Sequence, residues 1–86
     1  MTLEVMKILR NSVLKEKILK ELKLNNNVCF KQIIEKNNII HILKCKHNVG
    51  TTREVIEICN INSKLEKYKK YFKIKVTMEE VIIDLN

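Results

Sequence analysis

The first 24 residues carry two apolar rows at helical spacing. The first row is Leu3, Met6, Leu9 and Val13, and the second row is Leu14, Ile18 and Leu22. This pattern predicts a helix over residues 1–24, with a break or bend near Asn11, where one row gives way to the other. Three consecutive asparagines, residues 25–27, predict the end of the helix, because Asn tolerates the left-handed backbone found at helix ends.

The next two segments differ in how clearly they can be interpreted. Phe30, Ile33 and Ile34 have helical spacing and precede polar residues 35–38, and this favours a short helix over residues 28–37. A strand over residues 28–34 that turns into the next strand is the alternative. Residues 39–45 are mostly β-branched or apolar, which predicts a central strand buried on both faces.

The second half of the chain contains two capping-box motifs, Thr51–Glu54 and Ser63–Glu66, and each predicts the start of a helix. Leu65, Tyr68 and Phe72 are expected on the buried side of the second of these helices. Residues 72–76 alternate between apolar residues and lysine, which predicts a strand with one solvent-exposed face. Residues 81–85 fit either a closing strand or a last helical turn. The alternation of helices and strands predicts one α/β domain over residues 1–86, with helices packed on a short central sheet.

Charge is the most uneven property of the sequence. The net charge is +7, and fifteen of the seventeen cationic residues are lysines. Residues 63–77 alone carry +5, whereas residues 78–86 carry −3. Such a basic cluster is typical of nucleic-acid contact, although a solvated lysine-rich face without a partner is the alternative.

Lysine neutralises phosphate as a flexible point charge and reads base edges poorly, so we expect backbone contacts rather than base recognition. A second group of contacts is expected around the loop that follows residue 43, and Tyr68 and Tyr71 flank the main cluster. The predicted nucleic-acid-binding residues are Lys44, Lys46, His47, Arg53, Lys64, Lys67, Lys69, Lys70, Lys73 and Lys75.

The chain offers little for catalysis. Gly50 is its one glycine and Asp84 its one aspartate, and no nucleophile and base occur at a recognisable spacing. A zinc site would have to combine Cys29, Cys45, His47 and Cys59. Because these residues include no tight pair of ligands, the cysteines are expected to be buried, reduced side chains instead. We therefore expect no enzyme activity, cofactor, metal or small-molecule substrate.

The longest uncharged apolar run is far too short to cross a membrane, and the start of the chain does not resemble a signal peptide. An odd number of widely spaced cysteines also argues against a disulfide framework. These features predict a cytoplasmic protein with no membrane contact.

The order of the predicted elements carries a family resemblance over residues 12–62. The matching stretches are Val13–Leu24, Phe30–Lys36, Ile39–Cys45 and Thr51–Asn60, the last of which contains Glu57, Ile58 and Cys59. This succession resembles the kink-turn-binding family of ribosomal and small-ribonucleoprotein proteins. In that family an Asn-Glu pair opens the second helix and recognises the kink-turn. Here Asn27, Val28 and Cys29 occupy those positions, and no glycine lies between Asn62 and Lys75.

The resemblance therefore implies backbone contact through lysines without kink-turn recognition. It favours a structural component of a ribonucleoprotein, specifically a small ribosomal protein, with folded ribosomal RNA and neighbouring proteins of the assembly as partners. The alternatives are a winged-helix DNA-binding regulator, with helices at 13–24, 30–37 and 51–60 and a wing at 72–85, or a protein–protein adaptor.

Overall fold

The computed structural model describes residues 2–23, 26–45 and 52–86. The elements are α1 (Leu3–Lys23), β1 (Gln32–Lys36), β2 (Ile39–Leu43), α2 (Thr52–Leu65), a 3₁₀ turn (Glu66–Tyr68), β3 (Lys73–Val76) and β4 (Glu80–Asp84). The four strands form one antiparallel sheet in the order β1-β2-β4-β3. The predicted α/β fold is confirmed, and β2 is a central strand as expected.

One face of the sheet forms the core with both helices. Alternate residues of β2 and β4 are buried, and the strand register places them opposite one another. The opposed pairs are Ile40 with Ile83 and Ile42 with Val81. Ile18 of α1 and Ile61 of α2 are fully buried against the same cluster. Since both helices pack on one face, β2 is buried on that face and only half-buried on the other, so the prediction of a strand buried on both faces is wrong.

The helix predicted over residues 28–37 is wrong, because residues 32–36 form strand β1. Lys36 pairs with Ile39, which leaves Asn37 and Asn38 as a two-residue hairpin loop. Both asparagines have positive φ, 54° and 61°. A type I′ turn requires this conformation at its two central positions, and Asn accepts it at low cost. The turn therefore folds the segment back onto β2 as a hairpin.

The first helix lacks its predicted break, and the second is longer than its motif suggested. α1 continues without a break through Asn11. α2 continues through Ser63, which therefore does not begin a new helix as its capping box predicted. Only the 3₁₀ turn follows, and it has no side-chain cap. The predicted Thr51 cap lies outside the described residues.

A threonine closes the hairpin between β3 and β4. The Thr77 hydroxyl accepts the N–H of Glu80 at 3.1 Å and donates to the Glu80 carbonyl at 2.9 Å. The Thr77 N–H also donates to that carbonyl. These bonds form the turn without glycine or asparagine, so residues 80–84 are a strand rather than a helical turn.

The opposite face of the sheet is partly exposed and mixed in character. Ile34 and Ile82 lie on it, on either side of His41. His41 is half-buried, with Nε2 2.6 Å from Glu80 Oε2. Lys73 and Lys75 are exposed on the same face.

Candidate nucleic-acid interface

A basic groove lies between α1 and the chain around the 3₁₀ turn. Its volume is about 520 Å³. The residues that line this lysine groove are Leu14, Lys17, Lys20, Glu21, Lys67, Tyr68, Lys70 and Tyr71. Lys17 and Lys20 flank the buried Ile18 on α1, so packing of that helix leaves both ammonium groups exposed beside the groove. Four lysines and one glutamate therefore meet on one concave surface.

Glu21 organises the inner side of the groove. Its Oε1 accepts hydrogen bonds from Lys67 Nζ at 2.7 Å and from the Tyr68 hydroxyl at 3.2 Å. The bond to Glu21 raises the pKa of Lys67. Burial, together with the nearby Glu21 charge, raises the pKa of Tyr68. Both groups are therefore protonated at neutral pH, and part of the Lys67 charge is balanced within the protein.

Tyr71 holds two cations at the outer edge of the groove. The Arg10 guanidinium carbon lies 5.4 Å from the ring centroid, and Lys70 Nζ lies 5.1 Å from it. These distances are typical of cation–π contacts. Tyr71 as a whole remains 42% exposed. By contrast Tyr68, which also flanks the lysine cluster in the sequence, is buried in the core.

The predicted lysines of residues 64–75 do not share one surface. Lys67 and Lys70 line the groove, whereas Lys73 and Lys75 lie on the open face of the sheet. Lys69 is bound to Glu66 Oε2 and to Asn62 Oδ1, each at 2.9 Å. Lys64 is exposed at the end of α2. The lysines that are clustered in the sequence are thus divided between the groove and the open face of the sheet.

Lys44 is an internal cation rather than a surface contact. Its Nζ lies 2.9 Å from Glu54 Oε2 and 3.9 Å from Glu79 Oε1. The Lys44 side chain is 10% exposed and that of Glu54 is 0% exposed. The hydrogen bond to Glu54 raises the pKa of Lys44 despite the opposing effect of burial. Lys44 therefore joins the end of β2 to the first turn of α2, and the prediction that it contacts nucleic acid is not retained.

Arg53 also forms an ion pair within the protein. Its Nε donates to Glu57 Oε2 at 3.2 Å, although most of its side chain is exposed. The Glu57 carboxylate accepts the backbone N–H groups of Val28, Cys29 and Phe30 at 2.9 to 3.2 Å. Burial alone would raise the pKa of Glu57, but these donors and Arg53 outweigh it, so the pKa is lowered. Lys46 and His47 lie outside the described residues.

The cysteines occupy different environments. Cys29 is buried, Cys45 is half-buried and Cys59 is exposed, and all three are free. Burial and the adjacent Glu57 carboxylate raise the pKa of the Cys29 thiol. In the part of the chain that the structure describes, no three His, Cys, Asp or Glu side chains are placed to hold a metal ion. No helix among those residues has the length and apolar character needed to span a membrane.

Sequence reasoning missed Arg10, Lys17 and Lys20. Their signal was weak, because lysines on α1 are diluted among apolar residues, whereas residues 63–77 form a dense cluster. Compared with models of known protein families, with curated proteins and with solved structures, the chain has no significant match. The groove is therefore interpreted from its own geometry and charge.

Proposed function

We propose that the protein is a non-catalytic RNA-binding component of a ribonucleoprotein, in which the lysine groove receives phosphates of a folded RNA. The observation that carries this proposal is the convergence of Lys17 and Lys20 with Lys67 and Lys70. The two pairs are far apart in sequence yet line one concave surface. A groove of this charge attracts a polyanion, and its single glutamate is already bound to Lys67.

The groove chemistry favours contact with the phosphate backbone. Lysine ammonium groups suit phosphate oxygens, and with two arginines in the chain there is little capacity for bidentate reading of guanine. Tyr71 adds a half-exposed aromatic ring on which an unpaired base can stack, a feature of RNA loops rather than of duplexes. The proposed substrate class is therefore folded RNA with unpaired nucleotides, and the ribosome is the proposed assembly.

The winged-helix alternative has less support. It requires a helix at residues 30–37, where strand β1 lies. Duplex DNA is nevertheless retained as the comparison ligand in the experiment below.

Salt dependence of RNA binding tests the proposal directly. Affinity for ribosomal RNA is expected to fall steeply between low and moderate salt, because binding releases counterions from the phosphates. A groove variant, Lys17→Glu with Lys20→Glu and Lys70→Glu, is expected to bind at least about tenfold more weakly and to reduce the salt slope by roughly 2. Filter binding or fluorescence anisotropy across a salt series measures both quantities.

The matched control makes the same change in net charge, but on the open face of the sheet. Lys36→Glu with Lys73→Glu and Lys75→Glu also lowers the net charge by six, from +7 to +1. If the groove is the interface, this control keeps most of the affinity. Equal loss in both variants would mean that net charge alone attracts RNA. Salt-insensitive binding, or tighter binding to duplex DNA than to RNA, would contradict the proposal. Cosedimentation with ribosomes, released by high salt, tests the proposed assembly.

A further inference from the structure

A second depression lies between the end of α1 and the start of β1. Its volume is about 460 Å³, within the range of about 300–1,000 Å³ that is usual for small-ligand pockets. Its polar lining consists of Lys23, Asn26, Asn27 and Lys31, and we call it the asparagine pocket. Among the described residues, no carboxylate lines this pocket.

The polar side chains of the asparagine pocket are not used by the fold. Within the described ranges, neither the two amides nor the two ammonium groups pair with another protein group. The Glu57 carboxylate reaches the same segment of chain, but it accepts the backbone N–H groups of residues 28–30 and pairs with Arg53. Its charge is therefore engaged inside the fold, and the donors of the pocket remain available to a ligand.

The floor of the asparagine pocket is apolar. Leu22 and Phe30 are buried beneath it, Ile33 is half-buried and Val28 is 48% exposed. A flat ring placed against Val28 covers apolar surface that the fold leaves in water. An amide side chain offers both donors and an acceptor to the polar edge of such a ring, and a lysine suits a phosphate beside it. This combination matches a nucleotide, whereas a phosphate alone would use only the lysines.

A shallow depression on the outer surface of α1 connects the asparagine pocket to the lysine groove. It shares Lys17 and Lys20 with the groove and Lys23 with the pocket. Glu16 also lines it and contributes one carboxylate against these three lysines. Lys17 and Lys23 are separated by roughly 9 Å along the helix axis. A nucleic-acid strand covers this distance with about three nucleotides at 3.4 Å each.

We infer that the asparagine pocket holds an unpaired nucleotide of the same RNA whose backbone crosses the lysine groove. This inference rests on the proposed function and adds a second site to it. The base lies on Val28, and its polar edge bonds to the amides of Asn26 and Asn27. The flanking phosphates contact Lys23 and Lys31. The ligand class is thus narrowed to RNA in which unpaired nucleotides continue for about three positions beyond the groove.

Two polyanions, one with bases and one without, test the inference. The probes are a labelled single-stranded RNA of about ten nucleotides and inorganic polyphosphate of similar charge, which competes for the lysines. The amide variant, Asn26→Ala with Asn27→Ala, keeps the net charge of +7. It is expected to bind the RNA at least about fivefold more weakly, because hydrogen bonds to the base are lost, and to bind polyphosphate as the parent protein does.

The matched control removes two exposed amides elsewhere. Gln32→Ala with Asn86→Ala is expected to change neither affinity. Lys23→Gln with Lys31→Gln is expected to weaken the binding of both polyanions, since these side chains contact phosphate. Asn26 is exposed, so Asn26→Ala alone leaves the core intact and is expected to weaken RNA binding about threefold. Circular dichroism of each variant checks that the fold is retained.

The outcomes separate this inference from the proposed function. The inference is overturned if the amide variant binds the RNA as tightly as the parent protein, or if it loses affinity for polyphosphate in the same proportion. If the groove variant loses RNA binding in either case, the proposed function stands without the asparagine pocket. A parent protein that binds polyphosphate but not RNA would contradict the proposed function and the inference together.

Discussion

The two halves of α1 carry similar apolar rows that have opposite fates. Ile18 and Leu22 in the second half are buried in the core. The row in the first half, which we call the outer row, is exposed and consists of Leu3, Met6, Leu9 and Val13. Helical spacing is equally good in both rows, so periodicity alone does not tell which row the fold buries. The sheet decides, because among the described α1 side chains those that pack in or against the core, Leu14, Ile18, Leu19 and Leu22, all belong to the second half of the helix.

The largest effect is expected from a matched pair of side-chain truncations, one in each apolar row. Ile18→Ala is expected to lower the free energy of unfolding by about 3 kcal/mol, since it leaves a cavity in a fully packed site. Met6→Ala, in the outer row, is expected to change it by less than about 0.5 kcal/mol. Urea unfolding followed by circular dichroism measures both. A comparable loss for Met6→Ala would mean that the outer row is buried in solution.

The second test concerns residues 28–30, which lie between α1 and strand β1. Glu57→Gln is expected to cost about 2 kcal/mol at neutral pH, because the backbone donors of residues 28–30 lose a charged acceptor. Glu66→Gln, which removes only the exposed pair with Lys69, is the control and is expected to have little effect.

The difference in stability between the parent protein and Glu57→Gln is also expected to depend on pH. The pKa of Glu57 is lower in the folded protein, so its contribution is complete above the ordinary Glu pKa of about 4.3 and is lost as the pH falls through the folded value. The stabilities of the parent protein and Glu57→Gln should therefore converge in acid. A difference that persists unchanged at the lowest pH at which both proteins are folded would show that the charge of Glu57 is not what stabilises the loop.

The smallest effect on the free energy of unfolding is expected near the middle of α1, at Lys15. Lys15→Gln removes the ion pair with Glu35, in which the atoms lie 2.6 Å apart. Because both side chains are partly solvated, the cost is expected to be about 0.5 kcal/mol and to shrink in high salt. Thermal unfolding at two salt concentrations measures it. A loss above about 2 kcal/mol would place this pair among the main contacts that fix α1.

Much of the fold could be predicted from sequence because local pattern and final burial agree in most elements. Residues 39–43 form the expected central strand, and Leu65, Tyr68 and Phe72 are buried as expected. β1 was missed because Phe30, Ile33 and Ile34 imitate helical spacing, while the feature that selects a strand is the turn at Asn37 and Asn38. That turn acts through pairing with β2, which a single segment does not reveal.

The candidate site was less predictable, since it depends on which distant residues the fold brings together. A count of charge identified Lys67 and Lys70 but not Lys17 and Lys20, which lie about fifty residues away in sequence. For Lys44 the prediction failed in the opposite way, because the sequence indicated a contact residue that the structure uses internally. It looks like a surface cation in a polar stretch, and only the three-dimensional fold places it against Glu54.

The position of β4 has a consequence for synthesis of the chain. β4 lies between β2 and β3, so the inner edge of β2 has no partner until residues 80–84 have left the ribosome. At roughly 5–20 residues per second, translation from β2 to β4 takes on the order of seconds. During that time the edge of an isoleucine-rich strand is open to pairing with other chains. We therefore expect a chain interrupted before residue 80 to aggregate or to depend on chaperones.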